Sequence, residues 1–451
     1  MKINRRELVK NLALASGAAA LGASWPFSSM TSARAVLPNL PNPGNSRIDH
    51  VVVVTMENRS FDHLLGWLPN ADGKQAGLTY VDKQGVAHHT YSLSGDNTGC
   101  PHPDPDHSYD GGRVEYDGGK MDGFLRAGTN DIYSIGYYGE VDIPFYAALA
   151  RHYTTCDRYF ASILGPTFPN RLFLHAAQTD RLSNTATPTT LPTIWDRLLA
   201  AGVSANYYYT NLPFLGLWGA KYVGISRPYT DFLLAAAAGT LPAVSFIDPT
   251  YTVLDDGTGN DDHPHADIRK GDRFLYDTFA AVANGPKWPN TIFIVNFDEW
   301  GGFFDHVAPP RAAAPNNVDP DLVKGKALLG LRVPTVVASP FSVGLSNDPR
   351  VSALVFDHTS VLKLIEWRWG LSPLTARDAS NDVNNLAYAL NFEHPNVSVP
   401  ALPQPFAPVL GAPCLGSGGI LGAAPVQTPD ANVWSELGRS AAANGFAVKL
   451  P

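Results

Sequence analysis

Between Ile48 and Met56 the chain reads Ile-Asp-His-Val-Val-Val-Val-Thr-Met, and its centre, Val51–Val54, has no polar residue at either alternate position. β-Branched side chains favour extended backbone. A strand without alternation must be covered on both faces, which is the condition of a parallel sheet packed between helices. Similar runs occur at Ala205–Thr210, Ala243–Ile247, Thr291–Phe297 and Thr335–Ala338. Between them, apolar spacing predicts helices over Leu172–Gln178, Ile194–Ala201, Asp231–Ala238, Arg269–Ala283 and Ser360–Arg368. Alternation of this kind implies an α/β fold with a mainly parallel central sheet flanked by helices.

Two stretches break the rhythm. Residues 66–140 are rich in Gly, Asp and Tyr and read as a loop-rich insertion over one end of the sheet. Residues 396–430 are rich in Pro, Ala and Gly and are expected to wrap the surface. The expected organisation is an export signal at 1–35, one catalytic domain at 36–380 carrying the insertion, and a C-terminal wrap of the same domain at 381–451.

The signal reading rests on a basic start (Lys2, Arg5, Arg6, Lys10), a mildly apolar stretch from Leu12 to Trp25, and Ala33-Arg34-Ala35 as a small-x-small cleavage pattern. Arg5-Arg6 followed by Leu8 and Lys10 resembles a twin-arginine signal, so the export machinery of that route is an expected partner and the periplasm or exterior the expected location. Removing residues 1–35 takes away five basic residues and one acidic residue, and the formal charge moves from −8 to −12. Such a chain has no general attraction for nucleic acid or anionic membranes. Three cysteines, Cys100, Cys156 and Cys414, allow one disulfide at most and fit no zinc spacing.

The chemistry-bearing residues cluster where strands end. Glu57-Asn58 follow the first apolar run directly, and Asp298-Glu299 follow Thr291–Phe297. Ligands of open parallel sheets sit beyond the carboxyl ends of strands. Carboxylate and amide oxygens placed there are donors that a hard divalent cation accepts. Taken singly, either pair is also an ordinary turn. In Gly165-Pro166-Thr167-Phe168-Pro169-Asn170-Arg171, Pro169 suits the first turn of a helix, which sets Thr167 at a helix N-terminus where the dipole favours an anion. A threonine there also serves as a plain helix cap. Polar loops carry His102, His107, His263, His265, His306 and His358, which could hold a metal or phosphoryl oxygens.

Three long motifs occur together: Thr55-Met56-Glu57-Asn58-Arg59-Ser60-Phe61-Asp62-His63, then Gly165 to Arg171, then Phe297-Asp298-Glu299-Trp300-Gly301-Gly302-Phe303-Phe304-Asp305-His306-Val307. With Asp357-His358-Thr359-Ser360, they resemble the bacterial phosphoesterase family, which contains phospholipases C and an acid phosphatase branch on an alkaline-phosphatase-like fold. The resemblance runs from about Ile48 to about Gly370. It implies metal ligands Glu57, Asn58, Asp298 and Glu299, a bridging nucleophile Thr167, and phosphoryl contacts from His107, His263 and His306, joined by Asn170 and His265. His107 stands in His107-Ser108-Tyr109, a departure from the Ser-Trp expected after that histidine.

The resulting expectation is an exported phosphoric ester hydrolase that uses one divalent cation, Ca, Mg or Mn, because the ligands are all oxygen. Its expected substrate is a phospholipid diester such as phosphatidylcholine, with peripheral contact at a membrane surface. Aromatic residues Tyr207, Tyr208, Tyr209, Phe214 and Trp218 offer faces for a choline group. The alternatives are an acid phosphatase acting on small phosphate monoesters, a phosphotransferase or sulfatase-like hydrolase, and a non-catalytic exported binder of phosphorylated ligands.

Overall fold

The computed structural model describes Leu37 and residues 39–253, 258–408, 414 and 430–449. The expected export signal at 1–35 and most of the 396–430 stretch beyond 408 lie outside the described residues. Residues Asn39–Pro451 constitute one compact unit.

The central sheet has eight strands: β1 (His50–Met56), β2 (Thr154–Cys156), β3 (Ala205–Tyr209), β4 (Ser226–Pro228), β5 (Val244–Ile247), β6 (Thr291–Phe297), β7 (Val336–Ala338) and β8 (Val351–Ser352). Their spatial order is β8-β2-β7-β6-β1-β5-β3-β4. β1 lies at the centre and pairs in parallel with β6 on one side and β5 on the other. Every residue of β1 and β6 is buried, as the unbroken apolar runs require. β7 alone in this sheet runs against its neighbours, so the sheet is mainly parallel. All five predicted strands are in it. The strands that composition did not announce, β2, β4 and β8, are two or three residues long.

Helices flank the sheet, among them α1 (Pro144–His152), α2 (Thr167–Ala176), α3 (Ile268–Ala283), α4 (His358–Trp369) and α5 (Ala431–Ala443). α3 is strongly amphipathic and buries Phe274, Leu275, Phe279 and Val282. Asp272 on α3 accepts from the backbone N–H of Phe145 at 2.9 Å and of Tyr146 at 2.7 Å, and so caps the start of α1 from a neighbouring helix. α5 buries Trp434, Leu437 and Ala441, and Trp434 stacks on Tyr251. A disulfide joins Cys100 in the insertion to Cys414 near the C-terminus, and Cys156 is a free buried thiol.

Candidate active site

The register Met56↔Phe297 between β1 and β6 places the first residues beyond both strands side by side. Asp298 N–H donates to the Met56 carbonyl at 3.1 Å, Arg59 N–H to the Glu299 carbonyl at 3.1 Å, and Asn58 N–H to Asp298 Oδ1 at 3.2 Å. Asn58 adopts a left-handed backbone, φ 58°. Gly301, φ 64°, leaves room for it, because a Cβ there would stand 2.2 Å from the Asn58 carbonyl oxygen. Glu57, Asn58, Asp298 and Glu299 are all at most 1% exposed. The structure therefore brings the four expected ligands together at the carboxyl edge of the sheet.

Arg171 of α2 stands among them. Its Nε donates to Asp298 Oδ2 at 3.0 Å, Nη1 to Asp248 Oδ1 at 2.9 Å, and Nη2 lies 3.2 Å from Glu57 Oε1 without hydrogen-bond geometry. Asp248 follows β5 as Glu57 follows β1, and its other oxygen accepts from Tyr207. One guanidinium cannot balance these buried carboxylates and Glu299 as well. Burial, reinforced by Asp298, pushes the Glu57 carboxyl well above its usual range, while Arg171 pulls it back. Burial also pushes Glu299 up to about 8, against the pull of His107.

Asn58 Oδ1 and Glu299 Oε1 are buried acceptors with no hydrogen-bond partner among the described residues, and Glu57 Oε1 has only its ion pair with Arg171. Buried orphan oxygens are costly unless something electropositive meets them. Oxygen donors of this kind suit a hard divalent cation, and Glu57, Asn58 and Glu299 are the residues that would hold it. Asp298 adjoins them with both oxygens already engaged, by Asn58, Glu299 and Arg171. Behind it, His358 Nε2 donates to the Asp298 carbonyl at 2.7 Å, and burial holds this ring down at about 4.

Asn58 also links to the histidines. Its Nδ2 lies 3.2 Å from His107 Nε2. His107 Nδ1 is tied to the Pro105 carbonyl at 2.8 Å, and His263 Nδ1 to the Pro264 carbonyl. Both rings therefore turn Nε2 inward. Ligand atoms of Asp104, His107 and His263 lie within 4.8 Å of one another. Burial disfavours charge on both rings. Glu299, Asp104 and Asp430 outweigh it for His107, raised to about 10, whereas His263, next to that charge, stays well below its ordinary value.

Thr167 is the first residue of α2 and is 2% exposed. Arg171, which reaches the carboxylates, is four residues later on the same helix face. The threonine does not cap its helix. Asn184 does so instead, its Oδ1 accepting from Phe168 N–H at 2.7 Å.

Several expected contacts are engaged elsewhere. Asn170 is turned to its own loop: its Oδ1 accepts from Ile163 N–H, and its Nδ2 faces the carbonyls of Ile163, Gly165 and Pro166, which pins the loop before α2. His306 is held away, with Nδ1 2.5 Å from Asp62 Oδ2 and Nε2 3.1 Å from Asp72 Oδ1, in a buried network with Asp305 and Arg332. His265 ties loops together through Nε2 to the His102 carbonyl at 2.9 Å. The aromatics offered as a choline cage are core residues: Tyr207, Tyr208, Tyr209, Phe214 and Trp218 are each at most 6% exposed. Arg171 and Asp248 carried no assigned role from sequence, although Asp248 repeats the acid-after-strand pattern.

A model of the Phosphoesterase family matches residues 48–372. Non-specific phospholipase C6 of Arabidopsis thaliana is 32% identical over 373 residues, which cover 74% of this chain and 71% of that one. Phospholipase C B of Mycobacterium tuberculosis is 33% identical over 438 residues, covering 81% of this chain and 82% of that one. Among solved structures, a protein in the alkaline phosphatase superfamily from Vibrio parahaemolyticus aligns over 75% of this chain and 70% of its own at 10% identity, with a TM-score of 0.37, too distant to argue from.

Proposed function

This chain belongs to the Phosphoesterase family, and from that premise we propose that it is an exported phospholipase C that uses Thr167 as nucleophile on phospholipid diesters. It is a phosphoric ester hydrolase; the nucleophile, the substrate and the location are our reading. The observation that carries it is the pair of orphaned oxygens on Asn58 and Glu299, in an acidic cluster that Arg171 ties to the helix beginning at Thr167.

Glu57, Asn58 and Glu299, with Asp298, would hold one Ca, Mg or Mn ion, which when bound supplies positive charge next to the attacking oxygen. Thr167 presents Oγ1 at the positive end of the α2 dipole, where an anionic phosphoryl group is favoured. Oγ1 attacks phosphorus, the bond to the glycerol oxygen breaks, and Thr167 carries the headgroup phosphate as an ester. The His107–His263 pair holds phosphoryl oxygens, takes the Thr167 hydroxyl proton as Oγ1 bonds to phosphorus and delivers it to the departing glycerol oxygen. Water then cleaves the threonine ester and releases the phosphorylated headgroup.

Export is supported by the basic, twin-arginine-like start of the chain and by the Cys100–Cys414 disulfide, which suits an oxidising compartment. The twin-arginine machinery is the partner this route implies.

One observation favours a second reading. With the tyrosines and Trp218 buried as core, the aromatic argument for a choline substrate is gone, and a phosphate monoesterase needs no such cage. The test is kcat/KM for p-nitrophenylphosphorylcholine against p-nitrophenyl phosphate from mildly acidic to mildly basic pH. Preference for the diester supports the phospholipase reading. Preference for the monoester with negligible diester cleavage overturns it in favour of the acid phosphatase branch.

A further inference from the structure

Glu115 is a fully buried acid that the reaction above leaves without a task. It lies in the insertion, in the helix Tyr109–Tyr116, whose N-cap residue Ser108 directly follows His107. Glu115 Oε2 accepts from the Trp300 indole N–H at 2.6 Å, and Oε1 accepts from Asn130 Nδ2 at 3.2 Å. Asn130 Oδ1 in turn accepts from the Asp106 backbone N–H at 2.6 Å. Trp300 follows Glu299 in the chain, and Asp106 precedes His107. One unbroken line of hydrogen bonds therefore runs from the neighbour of a cation-holding residue to the neighbour of a phosphoryl-binding histidine. Glu115 is its middle member.

The packing repeats this tie. A Cβ at Gly112 would stand 2.9 Å from the Trp300 ring, so the helix lies directly on the indole, and a Cβ at Gly302 would stand 2.6 Å from Pro105. Arg113 Nη1 donates to the Leu164 carbonyl at 3.1 Å, which brings the loop before Thr167 against the same helix. Both partners of Glu115 can only donate. An indole N–H has no acceptor to offer, and the Asn130 oxygen is already taken by Asp106. The position therefore requires a side chain that accepts at two points, which a carboxylate does and a primary amide does not. Burial pushes this carboxyl well above its usual range, while the Trp300 hydrogen bond pulls it back.

We propose that Glu115 is a positioning residue: through Asn130 and Trp300 it holds the His107 loop against the Glu299 loop, so that the His107–His263 pair meets the departing oxygen. This rests on the reading above in which that pair delivers the leaving-group proton. Proton transfer demands hydrogen-bond reach, so a histidine that loses its place loses this step first. A leaving group that departs as a stable anion needs no proton, whereas a basic one does. The cost of removing Glu115 therefore falls on basic leaving groups.

The experiment measures kcat and KM of the intact protein for two esters of phosphorylcholine. The p-nitrophenyl ester releases an anion that leaves unaided, and the phenyl ester a more basic one that needs a proton. In Glu115→Gln, kcat/KM for the phenyl ester is expected to fall about tenfold further than for the p-nitrophenyl ester. The loss is expected in kcat, with KM and the metal content by elemental analysis unchanged. Asn130→Ala cuts the same line at a less buried residue. It is expected to act in the same direction, and it decides the matter if Glu115→Gln does not fold. Equal loss on the two esters, as a purely structural residue gives, or no loss on either, overturns the assignment. His107→Asn tests the premise separately. A loss concentrated on the phenyl ester there, but not in Glu115→Gln, leaves the proton-transfer reading standing and overturns the role of Glu115. Equal loss on both esters in His107→Asn overturns the premise and this assignment with it.

Discussion

Arg171 Nε donates to Asp298 Oδ2 at 3.0 Å with both side chains fully buried, so the helix that carries Thr167 is locked to the strand end that carries the acids. The contact fixes the nucleophile's helix relative to the oxygens that would hold a cation. It also sets a fixed positive charge against one edge of a strongly acidic group.

Removing that charge leaves Asp298, Asp248 and Glu57 without their shared partner. Loss of one member of a buried ion pair costs about 3–5 kcal/mol. Arg171→Met is expected to lower unfolding stability by that order and to abolish activity. Arg171→Lys keeps the charge but cannot reach three carboxylates at once, and is expected to recover only part of the stability. Denaturant melts of the two variants against wild type check this.

The cation is expected to bind through the orphaned oxygens. Elemental analysis of purified protein should find about one Ca, Mg or Mn ion per chain. Chelation should remove activity and lower the melting temperature, since a ligand that binds only the folded state stabilises it. Asn58→Ala and Glu299→Gln should each bind the metal at least tenfold more weakly. Full activity after complete metal removal would contradict the ligand set.

A pH dependence of stability arises well away from these ligands. Glu366 on α4 is buried against Asp378, and burial with that neighbour pushes its carboxyl up to about 9 from 4.5, against the pull of Lys363. The folded protein keeps a proton that the unfolded chain releases. The contribution is fully present below about pH 4.5 and is lost as pH rises toward 9. Glu366→Gln, neutral at every pH, should therefore be more stable than wild type at pH 8, on the order of 1–3 kcal/mol, and should gain little at pH 5. Melts across that window read the effect.

Much of this architecture is legible in the chain, for a physical reason. A parallel strand buried on both faces must be continuously apolar, so β1 and β6 announce themselves, and the residues just beyond them fall at the ligand edge. Edge strands of two or three residues, such as β8, carry too little pattern to be seen. Single side chains are harder. Asn170 and His306 sit in motifs as specific as those of Thr167 and Glu57. Whether an amide turns to its own loop or to a ligand depends on contacts such as Asn170 to Gly165, which spacing does not encode. The aromatics of β3 look equally suited to a cage or a core until the helices packed on them are in place.

The disulfide ties the loop before Asp104 and His107 to the C-terminal segment. Cys100→Ser with Cys414→Ser should cost about 2–5 kcal/mol of stability. It should also lower kcat, because that loop sets His107 against Asn58. Wild-type protein treated with reductant under native conditions should behave like the double variant. Undiminished kcat in both would show that the loop holds its place without the bond.

The most direct test of the central claim is mass spectrometry of protein quenched in acid during turnover of p-nitrophenylphosphorylcholine. A covalent phosphorylcholine adduct on the peptide that contains Thr167 is predicted, absent in Thr167→Ala, which should also lose turnover with its fold intact, while Thr167→Ser retains part of it. Near wild-type turnover by Thr167→Ala, or an adduct on another residue, would contradict the account.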